Sequence, residues 1–429
     1  MNDAPAGTPA DTTGAGDDAD IDTTPTVVPL LEPAEGIPPV TATPEALARV
    51  VEAFANGTGP VAVDAERASG YRYGQHNYLV QLRREGSGTA LIDPAALPDL
   101  SALSEALVGV EWVLHAASQD LSALAEQGLR PSRVFDTELG ARLLGLERVG
   151  LAAVVAELLG LGLAKEHSAV DWSTRPLPEQ WLRYAALDVE VLVELREVLA
   201  ERLAVAGKAQ WAAEEFEAVR LAPPPAPRVD PWRRVSGVHA IRDPRRLAVV
   251  RALWQTRDTN ARQRDISPGR VLPDAAIMAA AQALPRSVPQ LVALPAFSGK
   301  GTRRRAPLWQ SAIDSALALP EDQLPSSRGP RSDGPPPPRA WADRDPAAAA
   351  RLAAAREVVA ALSEEHAVPI ENLLQPDLLR RLCWSPPSPA DEQSIAERLA
   401  EGGARSWQIG LLAPLLAEAF VRAAQDAPA

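Results

Sequence analysis

The spacing of apolar and polar positions changes along this chain of 429 residues. Four short runs come first: PVAVDAE at 60–66, NYLVQL at 77–82, TALIDP at 89–94 and EWVLHA at 111–116. They alternate or are nearly continuous in apolar residues and are bounded by Gly, Pro, Asn or Ser, which predicts strands. Farther on, apolar residues recur every three or four positions. The longest such stretch, WLRYAALDVEVLVELREVL at 181–199, predicts one long amphipathic helix. Residues 37–221 therefore read as a mixed α/β domain. The segment APPPAPRVDP ends it in a linker at 222–233, because proline removes amide donors and favours extended chain. Helical patterns fill 234–318 and 341–425, with a second Pro-rich linker at 319–340. Residues 1–36 are rich in Ala, Asp, Thr, Gly and Pro without periodicity and predict a disordered acidic tail.

The two helical segments resemble each other. RLAVVR at 246–251 has a counterpart in RLAAAR at 351–356, and Leu272-Pro273-Asp274 has one in Gln375-Pro376-Asp377, at separations of 105 and 103 residues. A duplicated helical unit with a small deletion is expected.

Composition narrows the class. A hydrophobic content of 46% supports several globular domains. The single cysteine, Cys383, excludes a disulfide framework or a cysteine-rich zinc site and fits the cytoplasm. Neither a secretory leader nor a membrane-spanning run is expected. The net charge of −13 would oppose a nucleic-acid partner if it were spread evenly, but it is not. Residues 1–36 hold eight acidic residues and no Lys or Arg, whereas 228–305 hold sixteen Lys or Arg against five Asp. Arg257, Arg262, Arg264 and Arg270, with Trp254 nearby, are candidate contacts to nucleic-acid phosphates. So are Lys300, Arg303 and Arg304 in SGKGTRRR, which lacks the spacing of a phosphate-binding P-loop. Residues 306–429 hold 11 basic against 17 acidic residues, so the second helical module is expected to shape a binding surface more than to supply its charge.

The candidate chemistry lies in carboxylates. On a strand, Asp64 and Glu66 share one face. Two adjacent carboxylates repel, and a divalent cation would compensate them. Asp120 follows the strand of EWVLHA, where the pattern turns helical, a position that faces the site in many α/β sheets. Tyr184 and Asp188 are one helical turn apart. Each has a bland alternative: a frayed strand end, a helix-capping aspartate, a half-buried tyrosine beside a solvated aspartate. Together, four carboxylates on three elements can supply ligands for two divalent cations about 3.5–4 Å apart, the arrangement that hydrolyses phosphodiesters. Oxygen ligands favour magnesium or manganese. Tyr184 is placed to orient the attacking water. Asp136 reads as a helix cap and His115 as a satisfied core histidine. His167 with Asp171 lacks a third partner for general-base chemistry.

VAVDAE, LHAASQDL and YAALDVEVL resemble the three motifs of the DEDD superfamily of 3′→5′ exonucleases, in its tyrosine branch. The stretch DWSTRPLPEQWLRYAALDV, led by Asp171 and Trp172, is similar specifically to ribonuclease D. Residues 234–318 resemble the helical HRDC module, and 341–425 look like a weaker copy. The resemblance implies a ribonuclease-H-like exonuclease domain, a mixed sheet flanked by helices, followed by two helical HRDC-type domains. It assigns Asp64, Glu66, Asp120 and Asp188 as ligands of two Mg or Mn ions and Tyr184 as the water-orienting residue. The implied activity is metal-dependent 3′→5′ exoribonucleolytic release of nucleoside 5′-monophosphates from RNA with a free 3′ end, such as transfer RNA precursors. A DNA exonuclease or a silent nucleic-acid-binding adaptor are the alternatives. One departure stands out: where ribonuclease D commonly has an aromatic residue after Asp-x-Glu, this chain has Arg67-Ala68-Ser69-Gly70, then Tyr71-Arg72-Tyr73. That loop either brings Tyr71 or Tyr73 to the terminal base or is plain surface.

Overall fold

A computed structural model describes residues 27–163, 167, 169–224, 226–329 and 334–425. The strands are β1 (Val28–Leu30), β2 (Val40–Thr41), β3 (Thr58–Arg67), β4 (Asn77–Glu85), β5 (Gly88–Ile92), β6 (Glu111–Leu114), β7 (Arg133–Asp136) and β8 (Leu161–Leu163). Six form one mixed sheet in the order β2-β5-β4-β3-β6-β7, in which β3 is antiparallel to β4 and parallel to β6. All four expected strands are present. Short β2 and β7 extend the sheet beyond them.

Alternation along β3 gives the sheet two different faces. Val61, Val63 and Ala65 pack with Phe54, Val80, Leu82 and Leu114 under the helix Pro44–Asn56. Ala62 looks the other way, into a core shared with Val113, Val189, Leu192 and Leu199. Asp64 and Glu66 share that second face. The expected single helix over 181–199 is two, Glu179–Glu190 and Leu192–Val205, broken at Val191. The break lets the first half cross β3, β4 and β5, while the second lies against β6 and the helix Thr137–Leu143.

Part of the stretch expected to be a disordered acidic tail, residues 27–36, is described and packs on the domain. Residues 1–26 lie outside the described residues, but β1 pairs in parallel with β8. Glu32 and Glu35 reach Arg183 and Arg83, at 2.8 and 3.3 Å. These two acidic residues fold onto arginines of the catalytic domain.

The first long element of both helical modules is a 21-residue helix, Pro244–Arg264 and Pro346–His366, capped by Asp243 and Asp345. Each then has a four-residue helical turn, Pro268–Val271 and Ile370–Leu373. The structural offset is thus 102 residues rather than 105 or 103. RLAVVR and RLAAAR are displaced by three positions, nearly one helical turn, because alanine-rich repeats match well out of register.

The modules meet the exonuclease domain differently. The core around Ala62 and Leu199 continues into Trp341, Leu352, Leu382, Leu412 and Phe420, so the C-terminal module is fused to the catalytic domain by apolar packing. The module at 234–318 has its own core around Trp232, Leu247, Phe297 and Trp309. Its link to the catalytic domain runs through the loop after β3, by hydrogen bonds and by Tyr73 packed against that core.

Candidate active site

β3 presents Asp64 and Glu66 at its C-terminal half, and the helix Glu179–Glu190 brings Tyr184 and Asp188 across the same face. Buried Trp172 anchors that helix. It packs with Leu79, Leu91, Ala185 and Ala186, and its ring lies 5.6 Å from Trp181 and 6.4 Å from Tyr184. Asp120 closes the 3₁₀ turn Ala117–Gln119 and opens the helix Leu121–Glu126. Asp136 fixes that turn: its carboxylate caps its own helix through the Glu138 and Leu139 amides and also accepts from Ala116 and Ala117, at 3.1 and 2.8 Å. The expected cap therefore also positions Asp120.

Asp64, Glu66 and Asp188 can place one oxygen each within 4.8 Å of the others. Asp120 lines the same cavity, of about 560 Å³, but turns its carboxylate to Arg67, 3.1 Å away. Burial raises Glu66 well above the usual carboxylate range, and Asp64, Asp188 and Asp120 push it further. Asp188 is raised likewise, by burial and then by Asp64. Burial and Asp64 push Asp120 up to about 7 despite Arg67. Asp64 is raised by burial, partly offset by hydrogen bonds from the Ala65 amide and Gln81. So much uncompensated negative charge in one cavity fits a divalent cation, which is the missing positive charge.

Tyr184 is raised above its ordinary value by burial and by Asp188 and Glu66, so it stays a neutral phenol hydrogen-bonded to Asp188. His115 hydrogen-bonds Thr137 at 2.9 Å, and burial lowers it to about 4. It is satisfied and neutral, yet it lines the cavity.

Residues 39–204 match a family model described as 3'-5' exonuclease, and residues 246–313 match the HRDC domain. Residues 334–420 match a different description, 3' to 5' exonuclease C-terminal domain. The ribonuclease D of Gluconacetobacter diazotrophicus is 31% identical over 334 residues, 76% of this chain and 81% of that protein. The chain belongs to the ribonuclease D family. It is a 3′→5′ exoribonuclease that depends on divalent metal, with an exonuclease domain followed by an HRDC domain and a helical C-terminal domain. A crystal structure of a protein from Bifidobacterium adolescentis superposes with a TM-score of 0.85 at 39% identity, covering 92% of this chain and all of the other. Escherichia coli RNase D, described as an exoribonuclease involved in structured RNA processing, superposes at 0.64 with 26% identity, covering 91% and 99%.

Gln81 escaped sequence reasoning in this ribonuclease D family member. It lies opposite Asp64 in the β3–β4 register, fully buried, and donates to Asp64 Oδ2 at 2.7 Å. A polar residue inside the apolar run NYLVQL was the available signal.

The candidate RNA-contacting arginines divide. Arg257 is buried and bound to Asp274, at 2.6 Å, and to the Leu272 carbonyl, so it is a core residue and not a phosphate ligand. Arg262 donates to the Tyr73 hydroxyl at 3.0 Å, and Arg270 lies over the Tyr71 ring while donating to the Gly70 carbonyl. Those two hold the domains together. Ser267 and Asp265 add bonds to the backbone of Tyr71 and Tyr73. Tyr71 and Tyr73 thus serve the domain interface. Arg264, Lys300, Arg303 and Arg304 are exposed. Burial, and then the nearby charges of Arg264 and Arg304, lower the pKa of Arg305.

Proposed function

We propose that Asp64, Glu66, Asp120 and Asp188 hold two divalent cations, Mg or Mn, and that this site trims the 3′ ends of structured RNAs, transfer RNA precursors among them, one nucleoside 5′-monophosphate at a time. The observation that carries the reading is the convergence of Asp64, Glu66 and Asp188 within 4.8 Å, with Asp120 in the same cavity. A bound cation supplies charge for the carboxylates, acidifies a water and stabilises the departing oxyanion.

The chain's own groups do the rest. Tyr184, held protonated, positions the attacking water as a hydrogen-bonding partner and does not act as the base. Gln81 fixes the orientation of Asp64, and Asp136 that of the turn carrying Asp120. Leu151, Ala152, Leu163 and Leu192 give the cavity an apolar wall suited to a terminal nucleoside. The exposed cluster around Arg264, Arg303 and Arg304 attracts the RNA body at a distance from the acidic site. The similarity to the Escherichia coli protein, described as involved in structured RNA processing, supports a structured RNA as substrate. A single buried cysteine, Cys383, suits the cytoplasm. No described helix is long and apolar enough to cross a membrane.

Single-turnover kinetics on a hairpin RNA with a short 3′ extension test the assignment. Asp64→Asn should abolish turnover with RNA affinity nearly unchanged, and Tyr184→Phe should slow the chemical step by about a hundredfold, as loss of one positioned hydrogen-bonding group does. Full turnover in Asp64→Asn would remove the metal assignment.

A further inference from the structure

Among the described residues lining the acidic cavity, Arg67 is the only cation, since His115 is held neutral. Its guanidinium is held at two points. One arm donates to the Gln119 carbonyl, and Nη2 lies 3.1 Å from Asp120 Oδ1. Asp120 alone of the four carboxylates stands outside the trio that can close on one ion. The arginine thus occupies the place of a positive charge that Asp120 would otherwise share with a metal. A divalent cation on Asp120 and a guanidinium at this distance would repel. Arg67 has a route out once those two contacts break: its side chain is 23% exposed, and it follows an irregularity in β3 between Glu66 and Arg67. Once displaced it needs another anion, and the phosphate of an entering strand is the one the reaction supplies, in a geometry that guanidinium matches with two hydrogen bonds.

We propose that Arg67 gates the second cation: it neutralises Asp120 in the resting protein, so that one ion binds before substrate, and it transfers to the substrate phosphate as the second ion enters. The gate rests on the two-cation reading above. Arg67 is a positioning residue here, and the coupling is reciprocal, so each of the second ion and the phosphate raises affinity for the other.

The test counts Mn²⁺ bound to the full-length protein by the loss of the free-ion electron paramagnetic resonance signal, with and without adenosine 5′-monophosphate. The wild type should bind one ion alone and two with the nucleotide. Arg67→Met should bind two without it, the second about tenfold tighter or more than in the wild type, a typical coupling. Arg67→Lys, which keeps the charge, should retain the wild-type count. Two ions in the wild type without nucleotide, or a wild-type count that the nucleotide leaves at one, would overturn the gate even if Arg67→Met fails to fold. No ion bound under any condition would instead overturn the metal assignment on which it rests.

Discussion

At the scale of residues, the site is a local conflict that a cation resolves. Buried carboxylates with raised pKa bind more protons folded than unfolded, so they weaken the metal-free fold as pH rises from about 4, the unfolded value, through about 7, the folded value of Asp120. The metal-free protein should therefore melt at a higher temperature at pH 5.5 than the same groups allow at pH 8. Saturating Mg²⁺ should raise Tm most at the higher pH, because metal and protons compete for the same oxygens. Differential scanning calorimetry across this range, with and without metal, checks both signs. A Mg²⁺ effect equal at the two pH values would contradict the assigned protonation.

At the scale of elements, what matters is how closely neighbours approach. Gly145, at φ +75°, lies where the loop after Thr137–Leu143 meets the C-terminal module, and a Cβ there would strike the Ala367 carbonyl. Buried Lys208 bridges the same seam, donating to the Leu143 and His366 carbonyls at 2.6 and 2.5 Å, while Trp211 stacks on Trp407 at 4.6 Å. Gly145→Ala should cost about 1–3 kcal/mol from backbone strain alone, read as a lower urea midpoint. An unchanged midpoint would show that the seam yields freely. The catalytic pattern was readable in the chain because period-two and period-3.6 spacing fix which side chains share a face: Asp64 with Glu66, Tyr184 with Asp188. Beyond its polar side chain inside an apolar run, the role of Gln81 was not readable, since it depends on which strand pairs with β3 and in which register. Arg257 was misread for a similar reason, because a local surplus of arginine does not say which ones the fold pairs internally. Tyr71 and Tyr73 became interface residues through contacts nearly two hundred residues away in sequence, Tyr73 to Asp258, Asp265 and Arg262 and Tyr71 to Ser267 and Arg270.

At the scale of the whole molecule, chemistry and attraction are separated. The catalytic cavity is acidic, whereas the exposed positive charge sits on the HRDC domain, tied to the catalytic strand by the loop that follows it. Replacing Arg264, Arg303 and Arg304 together with Ala should weaken binding of RNA and lessen the salt dependence, by about 2 in the slope of log K against log salt if all three meet phosphates. Fluorescence anisotropy at several salt concentrations measures the slope, and an unchanged one would place the RNA elsewhere. The most direct test of the central claim is a denaturing-gel time course on 5′-labelled RNA and matched DNA, with Mg²⁺, Mn²⁺ or chelator, for the wild type and Asp64→Asn. A ladder shortening from the 3′ end of RNA is expected, dependent on metal and absent in the variant. RNA bound but left intact by the wild type under every condition would contradict it.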